Sequence, residues 1–318
     1  MKSFWIFLFA CCLAAGLKAQ SPLTYPYPVS YLALTIEQQR VKMAFMDVRP
    51  EAQSNGRTVV LLHGKNFNGF YWKDVIHYLS GAGYRVLVPD QVGWGASDKP
   101  AIQYSFHRLA ANTKALLDSL GIAQVQVVGH SMGGMLAVRF ALMYPTLVEG
   151  LVLENPIGLE DYRSFVPWRS PDQQFAQELN ASYESLKQYQ QGYYPAWKEE
   201  YEPYVAAQWE ALQQPDFATA TWASALTYNM IYEQPVVYEL GNLKVPTLLI
   251  IGQADRTVLG KALLPESERG KWGRYPELGK AARSRIRGSK LVALEGVGHI
   301  PHLQVPDLFR AALLGFLK

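Results

Sequence analysis

Val125-Gln-Val-Val-Gly129-His-Ser131-Met-Gly133-Gly-Met-Leu-Ala-Val-Arg139 runs from a short apolar segment, through a G-x-S-x-G pattern, into a helical pattern that Pro145 stops. Alone, G-x-S-x-G is a weak signal, because glycine is common enough for chance matches. Its setting between a strand and a helix makes it specific. A sharp turn there lifts the serine hydroxyl to the carboxyl end of a sheet, and glycines on either side let strand and helix approach closely. The first amides of the helix then direct partial positive charge at an anion forming beside the serine. The stretch predicts strand, turn and helix, with Ser131 as a nucleophile. A glycine-rich turn carrying a solvated serine is the competing reading, and it leaves the flanking elements without a reason.

Outward from this stretch the rhythm repeats. Val59–Leu62, Arg85–Val88, Leu151–Leu153, Thr247–Ile251 and Leu291–Leu294 are further short apolar runs, with helical patterns such as Leu109–Leu120 and Met132–Tyr144 between strands. Such runs suit a parallel sheet covered on both faces, and their alternation with helices predicts an α/β fold with a mostly parallel, doubly wound sheet. Upstream, Tyr31–Glu37 and Val41–Val48 read as a hairpin, preceded by an extended Pro/Tyr-rich leader, Ser21–Ser30. Residues 157–240 break the pattern. They hold no convincing buried strand and are dense in Tyr and Trp, which predicts a helical cap inserted into a core made of residues 20–156 and 241–318. The rings either pack among themselves or face a substrate cleft.

A serine nucleophile needs a base. Of the six histidines, His299 lies in the loop Gly296-Val-Gly-His299, directly after the last strand, with His302 as its competitor. His130 neighbours Ser131 but points away on a tight turn, a structural position. The supporting acid is Asp255, after the strand Thr247–Ile251, with Glu154 at the end of the preceding strand as the alternative. Two backbone donors for an oxyanion are expected from the N–H groups of Met132 and Lys65. The Lys65 side chain either meets a substrate carboxylate or is simply solvated, the plainer of the two readings.

Bulk properties exclude some functions. Lys and Arg number 30 against 27 Asp and Glu; setting aside Lys2 and Lys18 leaves 28 against 27. So balanced a chain is not built to capture nucleic acid or an anionic membrane. The one basic cluster, Arg283–Lys290, reads as a solvated loop. Residues 1–19 combine Lys2, an apolar run from Phe4 to Ala15 and Leu17-Lys-Ala19, the pattern of a cleaved signal peptide, which predicts a periplasmic or extracellular protein. Lipid attachment at Cys11 or Cys12 is a minor alternative. No later apolar run reaches the roughly 18 residues of a membrane span. Both cysteines lie in residues 1–19, so disulfides, thiolate metal sites and a cysteine nucleophile are not expected. No metal or organic cofactor is implied, and the expected partner is a small-molecule substrate.

Taken together, Val59-Val-Leu-Leu-His63-Gly64, Pro89-Asp90-Gln-Val-Gly93-Trp-Gly95-Ala-Ser97, Gly129-His-Ser-Met-Gly-Gly134, Gly252-Gln-Ala-Asp255 and Gly298-His299 resemble the α/β-hydrolase superfamily, in its capped branch of esterases, proline-iminopeptidase-like enzymes, epoxide hydrolases and C–C bond hydrolases. The order Ser131, Asp255, His299 is the order that fold uses. Epoxide hydrolases and haloalkane dehalogenases carry aspartate at the elbow, where this chain has Ser131. Haloperoxidase-like members usually lack an insertion like 157–240. The 44 positions from Asp255 to His299 imply an extra loop around Leu259–Gly288 at the cleft rim. The resemblance implies an esterase using an acyl-enzyme. An amidase or peptidase is the alternative, with Glu199, Glu200 or Glu202 holding a substrate amine, unless that run is only an exposed helix face. A C–C bond hydrolase and a non-catalytic binding protein complete the set.

Overall fold

Alternation of residues between two apolar faces organises the sheet. Val60 and Leu62, Val127, Leu151 and Leu249 enter one core; Val59 and Leu61, Val128, Val152 and Leu248 enter the other. Strands buried on both faces read as unbroken apolar runs, and this period of two distributes them. The computed structural model describes residues 24–317. The proposed signal segment 1–19, with Cys11 and Cys12, lies outside the described residues.

The chain opens with β1 (Val29–Ile36) and β2 (Gln39–Val48), an antiparallel hairpin. Its two-residue turn, Glu37-Gln38, has both residues at positive φ, 49° and 64°. That is the type I′ geometry whose twist matches the strands. The leader is shorter than expected because Val29 and Ser30 already pair in β1. Next come β3 (Thr58–Leu62), α1 (Lys73–Gly81), β4 (Arg85–Pro89), α2 (Phe106–Ser119), β5 (Val125–His130), α3 (Met132–Met143) and β6 (Val148–Glu154). Helix α2 starts three residues before the apolar pattern suggests, because the Ser105 hydroxyl caps it by accepting from the Arg108 N–H.

Four longer helices then intervene: α4 (Pro171–Leu179), α5 (Tyr183–Gln191), α6 (Glu202–Ala211) and α7 (Phe217–Glu233). Helix α4 packs on α7 and α5 on α6, with no strand between β6 and the next, β7 (Thr247–Gly252). After β7 come α8 (Glu266–Arg269), α9 (Tyr275–Arg285), β8 (Lys290–Leu294), α10 (Pro301–Gln304) and α11 (Pro306–Phe316).

The eight strands form one sheet in the order β1-β2-β4-β3-β5-β6-β7-β8, parallel from β4 to β8 with the β1–β2 hairpin antiparallel at one edge. Helices α2, α3 and α9 cover one face, and α1 and α11 the other. Two expectations are corrected here. The stretch 259–288 is not simply an extra loop: Leu259 at its start walls the cleft, but the rest contains α8 and α9, and α9 is the crossover between β7 and β8. The basic cluster is not a solvated loop either. Arg283 and Arg285 close α9, where cations suit the helix dipole, Ile286 is fully buried, and Lys290 opens β8. Among the described residues no helix is long and apolar enough to cross a membrane.

Candidate active site

The turn from β5 to α3 is as tight as the glycine spacing requires. Ser131 sits at φ 56°, ψ −120°, a region that costs a non-glycine residue about 1–3 kcal/mol. A Cβ on Gly129 would stand 2.2 Å from the Gly133 carbonyl oxygen, and one on Gly133 would stand 2.1 Å from that of Leu62. Neither position tolerates a side chain. The strained residue is held by its own backbone: the Ser131 N–H donates to the Glu154 carbonyl at 3.1 Å, and its carbonyl accepts from Gly134 at 2.9 Å and Ile157 at 3.2 Å.

Three sequence-predicted side chains meet above this turn. Ser131 Oγ lies 2.9 Å from His299 Nε2, and His299 Nδ1 lies 2.7 Å from Asp255 Oδ2. Asp255 and His299 are each 1% exposed and Ser131 is 7% exposed, so water does not compete for these bonds. Burial alone would raise the Asp255 carboxyl. The facing His299, with hydrogen bonds from His299, the Thr257 N–H and the Asn155 amide, outweighs burial and holds it below the ordinary carboxylate value. An ionised Asp255 only accepts, so Nδ1 carries the imidazole proton and Nε2 turns a bare lone pair to the serine hydroxyl.

Sequence reasoning missed Asn155. Its Nδ2 donates to Asp255 Oδ2 at 2.7 Å while its Oδ1 accepts from the Gly252 N–H at 2.9 Å, so it fixes the acid to the end of β7. The alternatives lie elsewhere. Glu154 is fully buried and accepts both the backbone N–H of His302, at 2.8 Å, and its Nδ1–H, at 2.9 Å. His302 in turn stacks on Trp72, with ring centroids 4.3 Å apart. Their side chains form a closed pair that makes no hydrogen bond to the side chain of Ser131 or of His299.

On the oxyanion side, the Met132 N–H is the first of α3 and has no intrahelical acceptor. The Lys65 N–H has no protein acceptor among the described residues. Gly64 brings its loop against the elbow, since a Cβ there would lie 3.2 Å from Ser131 Cβ. The Lys65 side chain is not solvated, contrary to the plainer expectation. Its ammonium donates to Ser224 Oγ on α7 at 2.8 Å and stands 3.8 Å from Glu178 on α4.

Over Ser131 the cleft is walled by Lys65, Asn66, Ile157, Tyr193, Ile231 and Leu259. About 20 Å³ of it is open to a water-sized sphere, room for about one water molecule. Tyr193 closes it. Its ring stacks on His299 at 4.9 Å, its carbonyl accepts the His299 N–H at 2.7 Å, and its hydroxyl accepts from Asn66 Nδ2 at 2.8 Å. Nothing in the sequence marks this tyrosine among its many neighbours of the same type. Glu199, Glu200 and Glu202 do not wall the cleft: the first two are exposed, and Glu202 bonds Tyr183 and Lys187.

The profile of the alpha/beta hydrolase family matches residues 59–312. Over 208 residues the chain is 29% identical to a 2-hydroxy-6-oxo-6-phenylhexa-2,4-dienoate hydrolase of Comamonas testosteroni, covering 64% of this chain and 73% of that one. Over 207 residues it is 32% identical to a 2-hydroxy-6-oxononadienedioate/2-hydroxy-6-oxononatrienedioate hydrolase of Paraburkholderia phymatum, covering 63% and 72%. A crystal structure of a probable hydrolytic enzyme from Pseudomonas aeruginosa PAO1 superposes with a TM-score of 0.91 at 49% identity, covering 93% of this chain and 96% of that one. A strand–turn–helix serine at the carboxyl edge of a mostly parallel sheet, and a family match that spans the sheet from β3 to β8, lead to the same place: this chain belongs to the α/β hydrolase family.

Proposed function

We propose that this hydrolase cleaves carboxylic esters of small to medium apolar or aromatic compounds through an acyl-enzyme on Ser131. The row from Ser131 Oγ through His299 to Asp255 carries the reading. As Oγ attacks the ester carbonyl, its proton passes to His299 Nε2, and the imidazolium is stabilised by Asp255. The carbonyl oxygen becomes an oxyanion, met by the N–H groups of Met132 and Lys65. Collapse expels the alcohol, which takes the proton from His299. Water then repeats the sequence on the acyl-serine and frees the acid.

Helices α4–α7 act in this reading as a cap that selects substrate. Support comes from the apolar side chains of Ile157, Ile231 and Leu259 in the wall over Ser131 and from the tie between Tyr193 and His299. The cleft is too small for an ester as it stands, so the cap opens to admit one. A carboxylate to hold a substrate amine is missing from the described cleft walls, which weighs against an aminopeptidase. A second reading, hydrolysis of a C–C bond in a hydroxy-oxo dienoate, draws on the names of two relatives. Export rests on residues 1–19 alone, and fractionation of cells producing the full chain tests it.

The decisive experiment labels the protein with a fluorophosphonate and assays nitrophenyl esters, aminoacyl-nitroanilides and a hydroxy-oxo dienoate in parallel. Labelling that Ser131→Ala abolishes, with esters turned over fastest, is the expected result. Labelling that survives in Ser131→Ala removes the nucleophile from the proposal. Preference for the dienoate moves the function to the second reading.

A further inference from the structure

Behind the row of Ser131, His299 and Asp255 runs a second chain of hydrogen bonds that the proposed reaction does not use. The Gly64 N–H lies 2.9 Å from Tyr71 Oη, Tyr71 Oη lies 3.0 Å from His130 Nδ1, and His130 Nε2 lies 2.8 Å from the His299 carbonyl oxygen. Its direction is forced at every step. A carbonyl oxygen only accepts, so His130 Nε2 carries a proton, and the buried ring, held neutral, offers a lone pair at Nδ1. Tyr71 must then donate its hydroxyl proton to Nδ1, which leaves its oxygen free to accept from Gly64. Each polar group is used, and none is used twice in the same role.

Both side chains are sealed. Tyr71 is 2% exposed and His130 fully buried, with Phe67 stacked on Tyr71 at 4.7 Å and Trp72 edge-on to His130. Burial pushes His130 well below the ordinary imidazole range and keeps the Tyr71 phenol protonated, so the pattern of protons does not change near neutral pH. The two ends of the chain are the informative part. Gly64 precedes Lys65, whose N–H is the proposed oxyanion donor, and a Cβ on Gly64 would stand 3.2 Å from Ser131 Cβ and 3.1 Å from His130 Nδ1. At the other end, the His299 carbonyl belongs to the proposed base, whose own N–H is held by Tyr193.

We propose that Tyr71 and His130 are positioning residues that tie the oxyanion loop to the backbone of His299, fixing the distance between the two halves of the reaction centre. The inference rests on the acyl-enzyme reading above. Asp255 sets the orientation of the imidazole ring; the Tyr71–His130 relay sets where its backbone stands relative to Gly64 and Lys65. Loss of either relay member shifts reacting groups without removing any of them. A substrate binds as before and reacts more slowly, because displacements of about 1 Å at a reaction centre cost up to about a hundredfold in rate.

The test is the kinetics of fluorophosphonate inactivation, in which the Ser131 Oγ–P bond forms, the P–F bond breaks with loss of fluoride, and the serine proton goes to His299. Tyr71→Phe keeps the ring and its packing and removes one oxygen. We expect its maximal inactivation rate to fall on the order of ten- to a hundredfold, with the reagent concentration at half-maximal rate changed less than about threefold. His130→Gln restores a donor to the His299 carbonyl and should retain more of the rate than His130→Leu. Adding Tyr71→Phe to His130→Leu should cost little further, since the relay is already cut. Thermal melts of every variant check that the folded state is being compared. A Tyr71→Phe rate within about twofold of the parent, or single effects that simply multiply in the double variant, would overturn the relay while leaving the nucleophile intact. A parent protein that shows no Ser131-dependent labelling would overturn the acyl-enzyme reading instead, and the relay with it.

Discussion

Asn155 stands at φ 35°, a conformation asparagine tolerates better than most residues, with one end of its amide on Asp255 and the other on Gly252. Replacing it by alanine frees one acceptor position of Asp255 and orphans a buried N–H. We expect Asn155→Ala to lower kcat by roughly tenfold, and Asp255→Asn by far more, since that change reverses the imidazole tautomer. Ser131→Ala and His299→Ala should each remove on the order of 10⁴-fold or more while the fold persists. Steady-state kinetics on a nitrophenyl ester orders these variants, and an Asn155→Ala effect equal to that of Ser131→Ala would contradict a merely orienting role. Ser131, His299 and Asp255 were legible because each sits at a strand's carboxyl end inside a glycine-marked turn. Asn155 sits at such an end too, but it follows Glu154, itself a candidate acid, and the more reactive residue type drew the reading. Tyr193 had no marker at all, because its role depends on which tyrosine of an aromatic-rich stretch reaches the imidazole.

Among elements, helices α4–α7 are stitched to the loop after β3 by polar contacts. Lys65 reaches Ser224 and Glu178, Gln208 Nε2 donates to the Asn66 carbonyl at 3.1 Å, and Asn66 Nδ2 meets Tyr193. Polar ties of this kind, each worth about 0.5–1.5 kcal/mol, break and re-form more readily than an apolar seam. The variant Glu178→Ala with Gln208→Ala should therefore ease opening, and raise kcat/KM for bulky acyl groups about threefold or more relative to acetyl. An acyl-length series measures this, and an unchanged ratio means that these contacts do not limit access. The helical character of 157–240 was readable from the missing strand pattern. Helix α9 carries a helical period of its own beneath a run of charges. Its buried residues Tyr275, Gly279, Ala282 and the following Ile286 recur at helical spacing, but the charges of Arg283–Lys290 masked an amphipathic period.

For the molecule as a whole, acid sensitivity follows from two histidines buried in the neutral form. His63 donates through Nδ1 to the Gly64 carbonyl and accepts the Gln91 N–H on Nε2, leaving no site for another proton, and the Tyr71–His130 relay leaves none on His130. Burial lowers both below the ordinary value of 6.5. Below that pH the unfolded chain takes up protons that the folded chain refuses, so stability is complete above about pH 6.5 and falls as pH drops. The slope is about 1.4 kcal/mol per pH unit for each histidine until its folded value is reached. Asp255, held below 3.8, adds a separate loss only at still lower pH, as it is protonated through its folded value. Urea melts between pH 7.5 and 5 should show the first loss, and His130→Gln should flatten it by roughly one proton. A stability that is level across that range would mean that these imidazoles find protons in the folded state.

Ser131 and His299 stand 168 residues apart, and the histidine follows the last strand of the sheet, at the far side from the hairpin. Synthesis delivers the proposed nucleophile long before the proposed base. A chain emerging from the ribosome therefore displays Ser131 on its elbow while His299 is still unmade, and β8 must dock on β7 before the imidazole arrives. Parallel strands that wait for distant partners fold late. On the proposed acyl-enzyme reading, full reactivity therefore waits for the final crossover to close and for the loop that carries His299.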